Sequence, residues 1–250
     1  MRSLKSPMLC LLLSLICVDQ LAAEVVPSYR SSQVLSDAYT TSGDPQDFYI
    51  EGEDFGLFSH SVGSSSADGG TSGGVDWVAS ANGNASQVSE VLFQGDRMSG
   101  ATASGDVGAF ALFTGCLEDG SGGYATSGFT IRFFVSDTST ELSLSYDVQG
   151  DGIFYFAGGG FSIYEASPAG GSLSGVLSET LAPGHSYEIT IYTQAQAATF
   201  GAGAPGCIAE DSAAGSFDLD FTVTGEDATL LITTPAAGAL VVAGEPVTIR

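Results

Sequence analysis

The chain has 250 residues, 34 of them glycine, and only 14% are charged, well below the globular norm of about 25%. The charge runs one way, 29 acidic residues against 6 basic, a net −23, while 44% of residues are hydrophobic. That combination excludes collagen, coiled coil, a disulfide-dense mini-protein and a solvated acidic tail. So few cations cannot displace the counterions of phosphates, so no nucleic-acid partner is expected.

Arg2 and Lys5 precede an apolar run from Met8 to Val18, and Leu21-Ala22-Ala23 stands before Glu24. A positive start, an apolar core and a small-residue cleavage site, in that order, predict a signal peptide over residues 1–23. The 11-residue core falls short of the roughly 20 residues that span a bilayer. Ile16 precedes Cys17 and Leu9 precedes Cys10, contexts that do not suit lipidation. Loss of Arg2, Lys5 and Asp19 with the signal leaves a net charge of −24, four arginines and no lysine. The mature chain is expected to be secreted or cell-surface, with no membrane span.

In the first half, Val34–Tyr39, Phe55–Val62, Val75–Ala81, Val88–Phe93 and Ala109–Phe113 read as strands, and the Ser/Gly-rich stretch from Ser64 to Gly74 as a mobile loop. From residue 129 the period is two. Phe129, Ile131, Phe133 and Val135 alternate with Thr130, Arg132 and Ser136. Leu142 to Val148, Tyr187 to Ile191 and Phe217 to Val223 alternate in the same way. Each pattern predicts a strand with one buried face. Gln149-Gly150-Asp151-Gly152, Pro168 to Gly171 and Pro183-Gly184 supply turn chemistry between them. Short strands without intervening helices predict an all-β fold, an antiparallel β-sandwich of jelly-roll type, over residues 24–226.

The run from Ser172 to Tyr192, with Leu181-Ala-Pro-Gly-His185, then residues 194–200 and 217–223, resembles a pattern in exported bacterial β-sandwich proteins. Many of those carry a PEP-CTERM type sorting tail, which is not seen here. The resemblance covers residues 129 to 224 and implies fold and export rather than an activity. Residues 231 to 249, with Thr234-Pro235, Gly238, Gly244 and Val247-Thr-Ile249, resemble the first strands of an Ig-like cell-surface module. Residues 229–250 are therefore expected to be a linker or an incomplete Ig-like module.

Of four cysteines, Cys10 and Cys17 leave with the signal, so Cys116 and Cys207 remain. In an oxidising compartment they have one connectivity, a disulfide closing a loop of about ninety residues.

Chemistry is sparse. Gly70-Thr-Ser72-Gly-Gly74 matches a nucleophile elbow in letters but lacks the strand-to-helix context. Gly201-Ala-Gly203-Ala-Pro205-Gly206 matches a phosphate loop with no helix to follow. His60 and His185 are too few for a structural zinc site. Carboxylates are the abundant reactive groups: Asp147 and Asp151 flank a turn, Asp218 and Asp220 share a strand face, and Glu51, Glu53 and Asp54 crowd one segment. Asp147 and Asp151 are the calcium candidates, set against a plain solvated acidic surface. A glycosidase pair has no fixed separation here. Trp77 and Tyr155 are the candidate ligand-contact aromatics, with Tyr124 and Tyr164 beside them, against the default of core packing. Asn84-Ala-Ser86 is a glycosylation sequon.

No catalytic residue is predicted. The expected function is a secreted or cell-surface, non-catalytic β-sandwich with a structural or adhesive role. The alternative is a carbohydrate-binding or glycoside-cleaving extracellular module with a polysaccharide partner. A sheet face lined by Trp77 or several tyrosines favours the alternative.

Overall fold

Alternation of inward apolar or small residues with outward polar ones runs through nearly all of the computed structural model. It describes residues 24–40, 46–72, 74–115, 120–136, 138–200 and 207–225; the expected export signal and the stretch that resembles an Ig-like module lie outside the described residues. Twelve strands follow in chain order: β1 (Val25–Thr40), β2 (Gln46–Gly52), β3 (Phe58–Ser72), β4 (Val75–Gln94), β5 (Arg97–Thr114), β6 (Gly120–Val135), β7 (Thr140–Gln149), β8 (Asp151–Gly158), β9 (Phe161–Ser167), β10 (Ser172–Leu181), β11 (His185–Phe200) and β12 (Ile208–Gly225). They form two six-stranded sheets, β2-β1-β6-β11-β8-β9 and β10-β7-β12-β5-β4-β3, with antiparallel pairing throughout. The fold is the expected all-β sandwich. No helix among the described residues is long and apolar enough to cross a membrane.

The first half differs from its sequence reading. Ser64 to Ser72, expected as loop, belongs to β3 and pairs with β4 as far as Ser72 opposite Val75. Serine and glycine are poor strand formers alone, but β4 satisfies their backbone groups, and inward positions there admit only small side chains. Ser64 and Ser66 are buried, and the Ser66 hydroxyl lies 3.2 Å from that of Thr40. Val75–Ala81 and Val88–Phe93, expected as separate strands, are one 20-residue strand, because Asn82 to Gln87 continue the same ladder against β5.

The interior is tapered. At one end Phe129, Phe133, Phe154 and Phe156 of the first sheet meet Leu142, Leu144, Phe217 and Phe221 of the second in a bulky core. Phe133 stacks on Phe221 at 6.0 Å and Tyr146 lies parallel to Phe154 at 3.8 Å. Each such ring stabilises by roughly 1.5–3 kcal/mol when fully buried. At the other end the core is mostly alanine, Ala85, Ala109, Ala111, Ala125, Ala195 and Ala197, with Val34, Val107 and Phe58 beside it. There a Cβ on Gly83 would overlap the carbonyls of Asp37 and Tyr124, and one on Gly123 that of Asn82. The sheets touch through their backbones, closer than the roughly 10 Å of ordinary sheet packing.

Arg30 lies inside the sandwich, 1% exposed. Its Nε donates to the Ser32 hydroxyl at 3.0 Å. Its Nη1 donates to the carbonyls of Asp54 and Gly56, and its Nη2 to the Ser89 carbonyl at 2.9 Å and hydroxyl at 2.7 Å. All five donors of the fork are thus used, joining β1 to β4 and to the segment between β2 and β3. The guanidinium also stands 5.8 Å from the Phe129 ring centre. Burial lowers its pKa, while Asp54 and Glu90 oppose that shift, and a guanidinium stays charged regardless. A lysine cannot reproduce the planar fork. Arg30→Lys is expected to lower the unfolding free energy by about 2–4 kcal/mol, since it strands buried carbonyls. The urea midpoint reads the effect, and an unchanged midpoint would remove Arg30 from this role.

Candidate binding face on the first sheet

On β1, β6, β11 and β8 the inward positions carry the core, so the alternate residues face outward. Of nine tyrosines in the chain, Tyr146 and Tyr187 are inside. The other seven, Tyr29, Tyr39, Tyr49, Tyr124, Tyr155, Tyr164 and Tyr192, stand on the outward alternation of the first sheet. Tyr155 on β8 is directly opposite Tyr164 on β9, which puts their side chains on one face. Tyr155 is also opposite Thr190 on β11, and Thr190 opposite Thr130 on β6, with their hydroxyls 3.0 Å apart. The next row runs Glu51, Gln33, Gly128, Tyr192 and Ile153 across five strands.

Hydrogen bonds tie these side chains together. Tyr124 donates to Gln194 Oε1 at 3.3 Å, and Gln194 Nε2 donates to Asp151 Oδ2 at 2.7 Å. Tyr49 donates to Glu51 at 2.6 Å, and Ser31 donates to the same carboxylate at 2.8 Å. The bond to Glu51, more than burial, pushes the Tyr49 pKa up to about 12. Burial raises Tyr124 and Tyr192, each helped by the Asp151 charge. These hydroxyls keep their protons at neutral pH and remain donors. Arg132 bonds Glu188 and stands 5.2 Å from the Tyr29 ring centre.

Two glycines flatten this face. A Cβ on Gly122 would collide with the Tyr39 ring, and one on Gly128 would come within 3.1 Å of Tyr192 Cβ and 3.4 Å of Gln33 Nε2. Tyr39 and Gln33 therefore lie down across the strands instead of standing off them. Glycine in a strand interior costs about 0.5–1 kcal/mol relative to alanine.

The other predicted residues are scattered. Trp77 is on the inward alternation of β4, stacked on Phe113 at 6.4 Å with Gly70 and Gly115 against its sides; the lack of a Cβ at both makes the slot it occupies. It is a half-buried packing residue, apart from the tyrosines. Asp147 faces outward from β7 opposite Asp218 and accepts from Gln149 at 2.7 Å. Asp151 belongs to the other sheet, because the β7–β8 connection crosses between sheets. Among the described residues no three His, Cys, Asp or Glu groups converge as a metal site would require. Asp147, Asp218 and Asp220, with Ser104 and Ser145, border a shallow groove of about 390 Å³ on the second sheet. His60 is on β3 of the second sheet, its ring 4.7 Å from Phe58, and His185 begins β11 of the first. Cys207 is half-buried and its carbonyl accepts from the Gly115 N–H at 3.0 Å, while Cys116 lies outside the described residues. Neither a family model nor a curated protein matches the chain.

Sequence reasoning found Tyr124, Tyr155 and Tyr164 but not Tyr192, Gln194 or the shared face. The available signal was parity: Tyr155 and Tyr192 fall on the polar side of their strands' alternation. Parity cannot reveal which strands are neighbours.

The carboxyl pair Asp37 and Asp47 was also hidden. They are directly opposite on β1 and β2, and Asp37 Oδ1 is buried with no hydrogen-bond partner among the described residues. Burial raises the Asp37 pKa above 3.8, and a hydrogen bond donated by the protonated Asp37 to Asp47, together with the Asp47 charge, raises it further. A raised native pKa means that the native state holds the proton more tightly. The stabilisation is complete below the ordinary aspartate pKa and is lost as pH climbs through the raised value. Asp37→Asn is therefore expected to raise the melting temperature at pH 7 and to leave it unchanged at pH 3. Thermal melts at the two pH values check this, and a lower melting temperature at pH 7 would contradict it.

Proposed function

We propose that this chain is an exported, non-catalytic β-sandwich with an adhesive role, and that the outer face of the first sheet is its adhesive surface. The observation that carries this reading is the gathering of seven tyrosines on one sheet face. Tyrosine offers large, stiff contact area with a hydroxyl at its tip, and a sheet face needing only solubility has no use for so many. The tyrosine-lined face favours a carbohydrate-binding role over a purely structural one. The non-catalytic part draws on the two histidines standing in different sheets. A mature charge near −24 keeps such a protein soluble through self-repulsion. Calcium at Asp147 and Asp151 receives no support from their placement in different sheets.

The test is adhesion of protein-coated beads to the producing cells and their extracellular matrix. The double variant Tyr155→Ala/Tyr192→Ala should cut bead retention at least tenfold with an unchanged melting temperature. Unchanged retention, or turnover of any substrate in a glycoside hydrolase panel, would overturn the reading.

Export also places Cys116 and Cys207 in an oxidising compartment, and we infer that they are joined. The Gly115 N–H bond to the Cys207 carbonyl supports this, since it sets the neighbour of Cys116 across from Cys207. In the chain-entropy picture a loop of about ninety residues contributes roughly 4–5 kcal/mol. Thiol titration of the secreted protein in denaturant should find no free cysteine; two free thiols would refute the bond.

A further inference from the structure

We propose that the ligand of the tyrosine face is a neutral polysaccharide, laid across the strands from β9 to β6 as an extended chain; this rests on the adhesive reading above. The shape of the face is the first ground. Gly122 and Gly128 let Tyr39 and Gln33 lie flat, so the middle of the sheet is a platform and not a concave pocket of the kind that small molecules occupy. From Tyr164 on β9 through Tyr155 and Thr190 to Thr130 on β6, one row of paired residues, are three strand intervals, about 14 Å at the usual spacing. That span exceeds one sugar ring and suits a polymer.

Chemistry is the second ground. A pyranose has apolar C–H faces and a rim of hydroxyls. The platform alternates rings with hydroxyls and amides: Tyr155 and Tyr164 beside Thr190, Tyr192 beside Gln33, Tyr124 bonded to Gln194. Rings can stack on the C–H faces while the amides and hydroxyls, which both donate and accept, serve the rim. A protein-binding patch would instead be expected to centre on a desolvated apolar cluster.

Charge is the third. Asp37, Asp47, Glu51, Asp151 and Glu188 stand on this face, and its guanidinium, Arg132, is already bound to Glu188. Such a surface repels uronates, sulfated glycans and anionic lipid headgroups. A neutral polymer meets no such barrier, and the carboxyl oxygens of Asp151 and Glu51 can accept from its hydroxyls.

Affinity electrophoresis of the intact mature protein through gels holding glucomannan, xyloglucan or dextran, with alginate and polygalacturonate in parallel, tests this. Retardation by at least one neutral polymer and by neither acidic one is expected. Tyr192→Ala and Tyr155→Ala should weaken it at least tenfold. Gly128→Val, which props Gln33 off the sheet, should do the same while melting normally. Val176→Ser, on the exposed β10 of the other sheet, should change nothing. Should Gly128→Val lower the melting temperature, the two tyrosine variants decide. Retardation by the acidic polymers alone, or retardation that the tyrosine variants keep, would overturn the inference. Adhesion of coated beads that depends on the tyrosines, with no retardation in any gel, would overturn the polysaccharide assignment and leave the adhesive reading standing. Clumping of coated beads without any polysaccharide would assign the face to a second copy of this chain and overturn it as well. Loss of both adhesion and retardation would end both readings.

Discussion

The close approach of the two sheets at one end is the constraint on which the rest depends. Where the backbones touch, the inward positions are small, Ala81, Gly83, Ala85, Ala109, Ala111, Gly123 and Ala125, and larger inward side chains such as Val34, Val107 and Phe113 stand before or beyond that contact. Little apolar area is removed from water at that end, so it contributes less to stability per residue than the phenylalanine end. Length compensates, since β1, β3, β4, β5, β6, β11 and β12 each run 15 residues or more, and their ladders carry many backbone hydrogen bonds. Arg30 stands between the two regimes, touching Phe129 of the thick core and satisfying carbonyls that the widening gap would otherwise leave without partners.

A thin interior also decides where bulk goes. Tyr124 is flanked by Gly123 and Ala125, both inward, and a ring in place of either would force the sheets apart. Tyrosine is therefore confined to the outer surface at that end, and the two inward tyrosines, Tyr146 and Tyr187, belong to the thick core. The platform and the narrow core are two sides of the same strands. Period-two geometry makes each small inward residue the neighbour of an outward position free to carry function.

Charge is arranged with equal economy. The arginines among the described residues have distinct duties: Arg30 is spent inside, Arg132 is neutralised by Glu188 under Tyr29, and Arg97 opens β5. Among the described residues the carboxylates are left largely without protein counter-charge. Where two meet, as Asp37 and Asp47 do across β1 and β2, burial makes the repulsion felt as a pH-dependent load on the native state.

Much of the second half was legible from residues alone. The alternations beginning at Phe129, Leu142, Tyr187 and Phe217 appear as β6, β7, β11 and β12, and Gln149 to Gly152 as the corner where the chain changes sheets. The first half was not, because strands built of serine, glycine and alanine have no apolar periodicity to detect. Ser64 to Ser72 is a strand only because β4 lies beside it. By itself the sequence determined the all-β class, the acidity and the parity of each tyrosine, since these follow from local composition and the two-residue repeat. Only the tertiary structure decided that Trp77 turns inward, that Asp147 and Asp151 part to different sheets, and that β9, β8, β11 and β6 lie side by side. Strand order is set by contacts between residues far apart in the chain, and a face shared by six strands exists only once those contacts are made.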